Sequence, residues 1–334
     1  MRTPLYEEHI AAGAKMADFH GWELPMQYGG ILSEHAAARR GAGIFDVSHL
    51  GEILLSGPGA PAFLQGLLTN DTRRLETKPT VYSPMCNADG GTVDDVMVCK
   101  YLDGFLLCVN AVNAEKDFSW IRQNAPSGVT AENVSGQFAM ISLQGPDASA
   151  LLERADLSAV LLKTGTGYTG ERGWELYLAP EDAPKLWREL TAAGAVPCGL
   201  GARDVLRTEA ALPLYGHELA EDVSPLEAGL DRFVRFDKGD FIGRDALLAL
   251  RDGSSRRRLI GLLMEGRAIP RQGYTVLGDG VPCGTVTSGG VAPALGRTIA
   301  MALVTGGAER YAVAIRNKEE PAALTELPFY RRER

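Results

Sequence analysis

The feature that most constrains the fold of this chain is an internal repeat. ILLSGPGAPAFLQGLL (residues 53–68) aligns without gaps to ISLQGPDASALLERAD (residues 141–156). Each copy reads as a short apolar strand, a Gly-Pro turn and an amphipathic helix. The positions that recur in register are Ala60 with Ala148, Ala62 with Ala150, and Leu64 with Leu152. Such a duplication predicts two β-turn-α units of similar topology.

Further strands are predicted between and after the two copies. VYSPMCN (residues 81–87), TVDDVMVCKYL (92–102) and FLLCVN (105–110) are separated by turn residues, including Asp-Gly, which between apolar runs is a strong hairpin signal. They predict a β meander. From about residue 257, short strand-like runs alternate with Gly-rich turns, which predicts a small antiparallel barrel or sandwich.

Glycine, proline and helix-ending residues predict the local structure of three other stretches. Residues 18–30, DFHGWELPMQYGG, are rich in aromatic residues, Gly and Pro, and we expect an ordered loop there. Residues 31–40 predict a helix that Gly41 ends. Near residue 200 a Gly-bearing turn opens another helix. Its partial GxG lacks the third glycine of the dinucleotide fingerprint, so a Rossmann site is disfavoured.

Two adjacent carboxylates, Asp94 and Asp95, stand inside the predicted strand GGTVDDVMV (residues 90–98). Strand side chains alternate between faces, so the two must point to opposite sides and one of them faces inward. A buried carboxylate needs a partner, a shifted pKa or a chemical role. Alternation does not decide which of the two is buried, and on the pattern alone a structural, ion-paired carboxylate is the more common case than a functional one.

A second acid and a basic residue also call for an explanation. Glu175 lies in a predicted strand that follows the Gly- and Thr-rich half of TGTGYTGERGWELYL (residues 164–178). Arg203 lies in the first turn of the helix that begins near residue 200. Helix-start amides beside an arginine suit an anionic or hydrogen-bond-accepting ligand, and a salt bridge to a nearby acid is the alternative.

Asp46, Ser48 and His49 stand close together in the sequence and resemble the members of a hydrolase triad. A triad is assembled from separated parts of a fold, and no GxSxG elbow accompanies these residues, so we expect local turn hydrogen bonds instead. Nothing places His20 or His49 at reacting atoms, and both are expected to be packing or hydrogen-bonding histidines.

Composition excludes several classes of function. A net charge of -8 argues against nucleic acid as the main partner. Five cysteines without a CxxC pair and five histidines without HxH or HxxxH spacing indicate neither a disulfide framework nor a metal site. No apolar stretch is long enough for a membrane span, and the N-terminus resembles neither a signal nor a transit peptide, so we expect a cytoplasmic enzyme.

An ordered series of motifs carries a family resemblance. The motifs are DFHGW (18–22), GIFDVSH (43–49), NDT (70–72), GGTVDDVMV (90–98), QGP (144–146), TGYTGERGWE (166–175), CGLGARDVLRTEAALPLYG (198–216), DFIGRDAL (240–247), GTVTSGG (284–290) and IRNK (315–318). In sequence and in order along the chain, these motifs closely resemble those of the aminomethyltransferase family, the T-proteins of the glycine cleavage system.

The resemblance implies an α+β fold, a three-domain cloverleaf around a tetrahydrofolate site. Two α/β domains with antiparallel sheets would comprise residues 1–53 with 137–235, and residues 54–136; residues 236–334 would form the C-terminal barrel or sandwich. It also implies transfer of the methylene of aminomethyl-lipoyl H-protein to tetrahydrofolate, with release of ammonia and dihydrolipoyl H-protein. The implied partners are lipoylated H-protein and tetrahydrofolate, without metal, nucleic acid or membrane.

The resemblance also assigns residues. The first aspartate of the DD pair, Asp94, matches the family's essential acid, which leaves Asp95 as the structural member. Glu175 and Arg203 match folate-contacting positions. The weaker assignments to folate or substrate binding are Tyr82, Tyr168, Tyr215 and Arg331. The interval between QGP and TGYTGE is shorter than in many relatives, and the C-terminal domain is trimmed.

Two related functions are the alternatives. A non-catalytic folate-binding protein of iron–sulfur cluster assembly would carry a KGCYxGQE-like stretch, but here KGDFIGRD (residues 238–245) has Asp240 at the place of the cysteine. The folate domain of a dimethylglycine or sarcosine oxidase would accompany a flavin domain, for which 334 residues leave no room.

Overall fold

A computed structural model describes residues 1–253 and 256–332. The chain forms two compact units. The first comprises Met1–Ala60, Leu75–Val81 and Met97–Leu206, and the second comprises Pro61–Arg74, Tyr82–Val96 and Arg207–Arg334. The three-domain division expected from the sequence stays a prediction.

The secondary structure alternates short helices and strands. The α-helices of the described residues are α1 (Tyr6–Ala11), α2 (Ile31–Arg40), α3 (Ala60–Leu67), α4 (Ala114–Asn124), α5 (Ala148–Leu152), α6 (Ala183–Ala192), α7 (Leu200–Glu209) and α8 (Arg244–Asp252). The β-strands are β1 (Lys15–Phe19), β2 (Trp22–Gln27), β3 (Gly43–Asp46), β4 (Gly51–Ser56), β5 (Thr80–Cys86), β6 (Thr92–Tyr101), β7 (Gly104–Val109), β8 (Thr130–Asn133), β9 (Ala139–Gln144), β10 (Val160–Thr164), β11 (Gly173–Leu178), β12 (Val196–Pro197), β13 (Arg258–Met264), β14 (Thr275–Gly278), β15 (Val281–Ala292), β16 (Arg297–Val304), β17 (Tyr311–Ile315) and β18 (Lys318–Thr325).

Two five-stranded sheets organise the first part of the chain. One has the order β10-β11-β9-β3-β12 and is antiparallel except for the short parallel pair of β12 with β3. Its core joins apolar side chains of the strands to Leu186, Trp187 and Leu190 of α6, which follow helical spacing on one face. The other sheet has the order β5-β6-β7-β4-β8, which contains the predicted meander β5-β6-β7.

The predicted repeat is confirmed at the level of local structure. β4 leads through a Gly-Pro turn to α3, and β9 leads through the equivalent turn to α5. The turn glycines, Gly57 and Gly145, both have positive φ, +103° and +132°. A Cβ at either position would lie 2.2–2.3 Å from a backbone oxygen of another segment, so only glycine fits.

The C-terminal strands form a closed antiparallel barrel with the order β13-β16-β15-β14-β17-β18. Closure leaves the barrel without a free edge strand. Inward-pointing residues such as Leu262, Val276, Ala302 and Val313 fill its core. The expected α+β class, with antiparallel sheets and a C-terminal barrel, is confirmed.

One expectation was wrong. Residues 18–30, expected to be an ordered loop, contain the second half of a two-stranded hairpin of β1 and β2. The turn consists of His20 and Gly21, whose φ angles of +52° and +84° are those of the tight turns that match strand twist. Histidine is among the non-glycine residues that tolerate a positive φ, but His-Gly is not the Asn-Gly or Asp-Gly pair that signals such a turn in a sequence.

Candidate functional site

Glu175 lies in the middle of a buried sheet. β11 places it opposite Ser142 of β9 and Thr164 of β10, and the residue is almost completely buried. Its Oε2 accepts a hydrogen bond from the hydroxyl of Thr166. Burial raises the pKa of the Glu175 carboxyl, and the Thr166 hydrogen bond and the positive charge of Arg203 offset only part of that effect. A carboxylate so placed is poised to accept hydrogen bonds from a ligand.

Arg203 lies near the start of α7, as predicted. The residue as a whole is partly exposed, yet its Nη1 is buried and has no hydrogen-bond partner among the described residues. The guanidinium carbon lies 4.7 Å from the centre of the Tyr168 ring, a cation–π distance. Burial lowers the pKa of Arg203, with the charge of Glu175 acting in the opposite direction. A donor left without a partner in this way is ready for an oxygen of a bound ligand.

Glu175, Arg203 and Tyr168 are thus brought together within the first unit. The Glu175 carboxyl and the Arg203 guanidinium interact electrostatically, although no ion pair within 4.0 Å joins them in the described residues. The arrangement offers an acceptor, a cation with a free donor and an aromatic ring. It can recognise a flat, polar heterocycle.

His49 borders the same group of residues. It is buried, its Nδ1 has no partner among the described atoms, and burial followed by the charge of Arg203 lowers its pKa to about 4. The ring is therefore neutral at pH 7. Asp46 makes the local turn bond that the sequence predicts, accepting from the backbone N–H of Ser48 at 2.9 Å, and its Oδ2 lies 2.8 Å from His9 Nε2. These bonds hold Asp46 in place and assemble no triad with His49.

Asp94 and Asp95 differ in burial. Asp94 is completely buried and Asp95 is partly exposed, in agreement with the alternation of strand side chains. Asp95 accepts a hydrogen bond of 3.0 Å from the hydroxyl of Tyr82. At the start of the same strand, the backbone N–H of Thr92 donates to the carbonyl oxygens of Ala220 and Val223. These bonds fix the strand that carries both acids.

The remaining predicted residues are placed as follows. Tyr82 and Tyr215 are both half-buried and pack against one small cluster, that of Leu219, Ala228 and Leu230. Arg331 is exposed and donates to the carbonyl oxygen of Leu327 at 3.3 Å. The functional roles of these residues stay predictions.

Two residues that support the site were not singled out from the sequence. Gln144 and Arg39 hold the segment that carries Thr166 and Tyr168, through contacts between residues more than 20 positions apart. Gln144 belongs to the QGP motif, which is the only local signal that pointed to it. Arg39 had no such signal.

The described residues hold neither a metal-binding cluster nor a membrane-spanning helix. Residues 1–253 and 256–332 contain no group of three or more His, Cys, Asp or Glu side chains placed to hold a metal ion. In those same ranges no helix has both the length and the apolar character that crossing a membrane requires.

Known proteins resemble this chain over nearly its whole length. The family model described as the GCVT N-terminal domain matches residues 5–162 and 156–238, and that of the glycine cleavage T-protein C-terminal barrel domain matches residues 257–331. The chain belongs to the glycine cleavage T-protein family. The family resemblance predicted from the motifs is therefore confirmed.

Individual T-protein relatives agree with this. An aminomethyltransferase of Moorella thermoacetica is 51% identical, over 99% of this chain and 98% of its own length. One of Rubrobacter xylanophilus is 47% identical, over 100% of this chain and 95% of its own. The crystal structure of glycine cleavage system aminomethyltransferase T from Bartonella henselae matches with a TM-score of 0.91 and 32% identity, covering 99% of this chain and 98% of that one. These matches favour the aminomethyltransferase reading over the iron–sulfur alternative.

Proposed function

We propose that this T-protein family member is an aminomethyltransferase that passes the methylene of aminomethyl-lipoyl H-protein to tetrahydrofolate. Ammonia leaves, the carbon–sulfur bond to the lipoyl arm breaks, and two new carbon–nitrogen bonds form to the folate, giving 5,10-methylenetetrahydrofolate and dihydrolipoyl H-protein. The observation that carries the proposal is the buried Glu175 carboxyl beside an Arg203 donor without a partner. The near-full-length similarity to aminomethyltransferases supports the same activity.

Glu175 is the proposed anchor for the pterin ring. A pterin presents a 2-amino group beside a ring N–H, and one carboxylate can accept both hydrogen bonds in a bidentate manner. The Thr166 hydroxyl already donates a hydrogen bond to Oε2 of Glu175, which fixes the orientation of the carboxyl. Ionised Glu175 is therefore the form that we expect to bind.

Arg203 is the proposed donor to an oxygen of the ligand. Its unpartnered Nη1 would gain the hydrogen bond that it lacks in the free protein. The Tyr168 ring holds the guanidinium from one side by a cation–π contact. Tyr82, Tyr215 and Arg331 remain weaker candidates for ligand binding, on the family resemblance alone.

Asp94 is the proposed catalytic carboxylate. Loss of ammonia leaves an electron-poor methylene, which folate nitrogens attack while they lose protons. A carboxylate close to those nitrogens stabilises the developing positive charge, orients the nucleophile and can accept a proton. Complete burial of Asp94 strengthens such an electrostatic effect.

The Asp94→Asn variant tests this role. We expect turnover to fall by about 10²-fold or more, the usual scale for loss of general-base catalysis, while folate affinity is largely kept. Asp95→Asn is the matched control, since Asp95 is partly exposed and bonded to Tyr82, and we expect it to retain most activity. Near-wild-type turnover of Asp94→Asn with aminomethylated H-protein would refute the catalytic role of Asp94.

Two measurements test the function as a whole. Calorimetry with tetrahydrofolate should show saturable binding, and aminomethylated H-protein should release ammonia only when tetrahydrofolate is present. Folate binding without ammonia release would favour the non-catalytic iron–sulfur alternative. Absence of both would refute the proposal. The expected cytoplasmic location stays a prediction.

A further inference from the structure

The segment that joins β10 to β11, residues 165–172, carries Tyr168 and the Thr166 hydroxyl that bonds Glu175. Gln144, at the end of β9, lies completely buried against this segment. Its Nε2 donates to the carbonyl oxygen of Thr166 at 3.0 Å, and its Oε1 accepts from the hydroxyl of Thr169 at 3.0 Å. One side chain therefore bonds the segment on both sides of Tyr168, through the backbone of Thr166 and the hydroxyl of Thr169.

The chain makes room for Gln144 by means of two glycines. A Cβ at Gly167 would lie 2.0 Å from Gln144 Oε1, and a Cβ at Gly173 would lie 2.3 Å from its Nε2. Gly173 stands directly opposite Gln144 in the β9–β11 pair, where a side chain would occupy the space that the amide fills. Neither glycine has a positive φ, so backbone conformation does not demand glycine there. Space for the Gln144 amide is what both positions provide.

Arg39, from α2, holds the same segment from another side. Its Nη1 donates to the carbonyl oxygen of Thr169 at 2.6 Å and to Glu171 at 2.9 Å, in an ion pair with both side chains only 6% exposed. Its Nη2 donates to the carbonyl oxygen of Leu206 at 3.2 Å. Leu206 lies in α7, the helix that carries Arg203. Arg39 thus ties the Tyr168 segment to the element that positions Arg203.

We propose that Gln144 is a positioning residue for folate recognition, holding the Thr166 hydroxyl on Glu175 and the Tyr168 ring against Arg203. The inference rests on the proposed function, because it concerns the same Glu175–Arg203 site. Gln144 acts through Thr166 and Tyr168 rather than by contact with the ligand. Its three hydrogen-bond partners, Thr166, Thr169 and Ser142, use its amide as both donor and acceptor, which no apolar side chain of equal size reproduces.

Glu175 supplies a readout that a purely structural role would leave unchanged. The Thr166 hydrogen bond lowers the pKa of Glu175, so loosening Thr166 should raise that pKa further. The other groups that interact with Glu175 are Arg203, Cys108 and Tyr177; the last two have strongly raised pKa values and stay neutral. Loss of Gln144 should therefore move the pH at which folate affinity is lost to a higher value.

The first experiment compares tetrahydrofolate binding by calorimetry in the full-length wild type, Gln144→Ala and Gln144→Met. We expect both variants to raise Kd by about tenfold or more, because several buried hydrogen bonds are lost. Gln144→Met keeps the volume of the side chain and serves if the alanine variant folds poorly. Gln137→Ala, an exposed glutamine of the same unit, is the matched control and should leave Kd unchanged.

The pH dependence of Kd in the same variants is the second readout. The fall in affinity on acidification should begin at a higher pH in Gln144→Met than in the wild type or Gln137→Ala. A folded Gln144→Met protein with wild-type Kd and a wild-type pH profile would overturn the inference while leaving the proposed function intact. A wild type that fails to bind tetrahydrofolate would overturn both.

A double-mutant cycle with Gly173→Ala completes the test. Gly173→Ala alone should weaken binding because its Cβ displaces the Gln144 amide, whereas in the Gln144→Ala background it should add little. Equal losses of affinity in both backgrounds would show that Gly173 acts independently of Gln144. That result would refute the positioning role of Gln144.

Discussion

Two arginines stand four residues apart in α7 and differ in how their charge is satisfied. Arg207 is 2% exposed as a side chain and donates to Glu218 at 3.0 Å and to Ser288 at 2.9 Å. Arg203 has a buried Nη1 without a partner, a Tyr168 ring at 4.7 Å and only a longer-range interaction with Glu175. One helix therefore contains a closely paired arginine and one whose hydrogen bonding is incomplete.

The difference supports the proposal that Arg203, unlike Arg207, keeps its charge for a ligand. Native proteins leave few buried polar groups without partners, so each exception calls for an explanation. Arg207 needs none, because the fold supplies its partners. Arg203 is explained if an oxygen of the substrate completes its hydrogen bonds. On this argument, the unpartnered Nη1 of Arg203 is a stronger reason to propose that it binds a ligand than its charge alone.

The largest expected effect concerns Arg207. Arg207→Met leaves Glu218 buried without its counter-charge and should lower the free energy of unfolding by about 3–5 kcal/mol, measured by denaturant titration at pH 7. Adding Glu218→Gln should recover part of that loss. Arg267→Met, at an exposed position of the same unit, is the control and should be nearly neutral. An Arg207→Met protein as stable as this control would show that the pairing of Arg207 with Glu218 does not stabilise the fold.

Arg203 should show the opposite pattern. Arg203→Met should weaken tetrahydrofolate binding by about 10²-fold, since losing a desolvated charged contact typically costs about 2–5 kcal/mol. The melting temperature should stay close to that of the wild type or rise, because the variant removes a buried donor that lacks a partner. Unchanged affinity together with clear destabilisation would reverse the comparison.

Glu175 should link stability and binding to pH in opposite directions. Its folded-state pKa is raised, so its contribution to stability is fully present below the unfolded pKa and is lost as pH rises through the folded pKa. Glu175→Gln lacks this loss, and its stability relative to the wild type should increase with pH over that window. Binding needs the ionised form, so wild-type affinity should fall about tenfold per pH unit below the folded pKa.

Chemical denaturation and calorimetry across pH 4–8 check both trends. Glu23→Gln is a control for stability, since Glu23 is a partly exposed acid whose pKa is lowered by its hydrogen bond with Arg2. A wild type whose folate affinity does not change on acidification would argue that Glu175 does not contact the ligand.

Sequence reasoning succeeded where the signal is local and periodic. Alternation required one of Asp94 and Asp95 to be buried, and Asp-Gly turns and Gly-rich spacing identified the meander and the barrel. Alternation could not choose Asp94, which came from the family resemblance. Burial agrees with that choice but leaves the role of Asp94 a prediction.

The rest of the site depends on contacts that no local pattern records. Arg39 meets Thr169 and Glu171 across 130 or more residues, and Gln144 meets Thr166 across 22. The hairpin of β1 and β2 was missed for a different reason, since its turn is carried by His20-Gly21 rather than a typical turn pair. Register and tertiary contact decide these features, and both are properties of the assembled fold.

The smallest expected effect concerns Arg331, which is neither closely paired nor left with a buried donor. Its side chain is 66% exposed, and Glu326, at 3.9 Å, is 95% exposed. Water screens such a pair, so Arg331→Ala should change the free energy of unfolding by less than about 0.5 kcal/mol. An exposed, hydrated charge also gains little from a ligand, and KM for tetrahydrofolate should rise by no more than about threefold. Steady-state ammonia release measures this KM. If Arg331→Ala raised KM by the same factor by which Arg203→Met weakens tetrahydrofolate binding, exposed charge would matter to binding as much as the buried, unpartnered donor of Arg203.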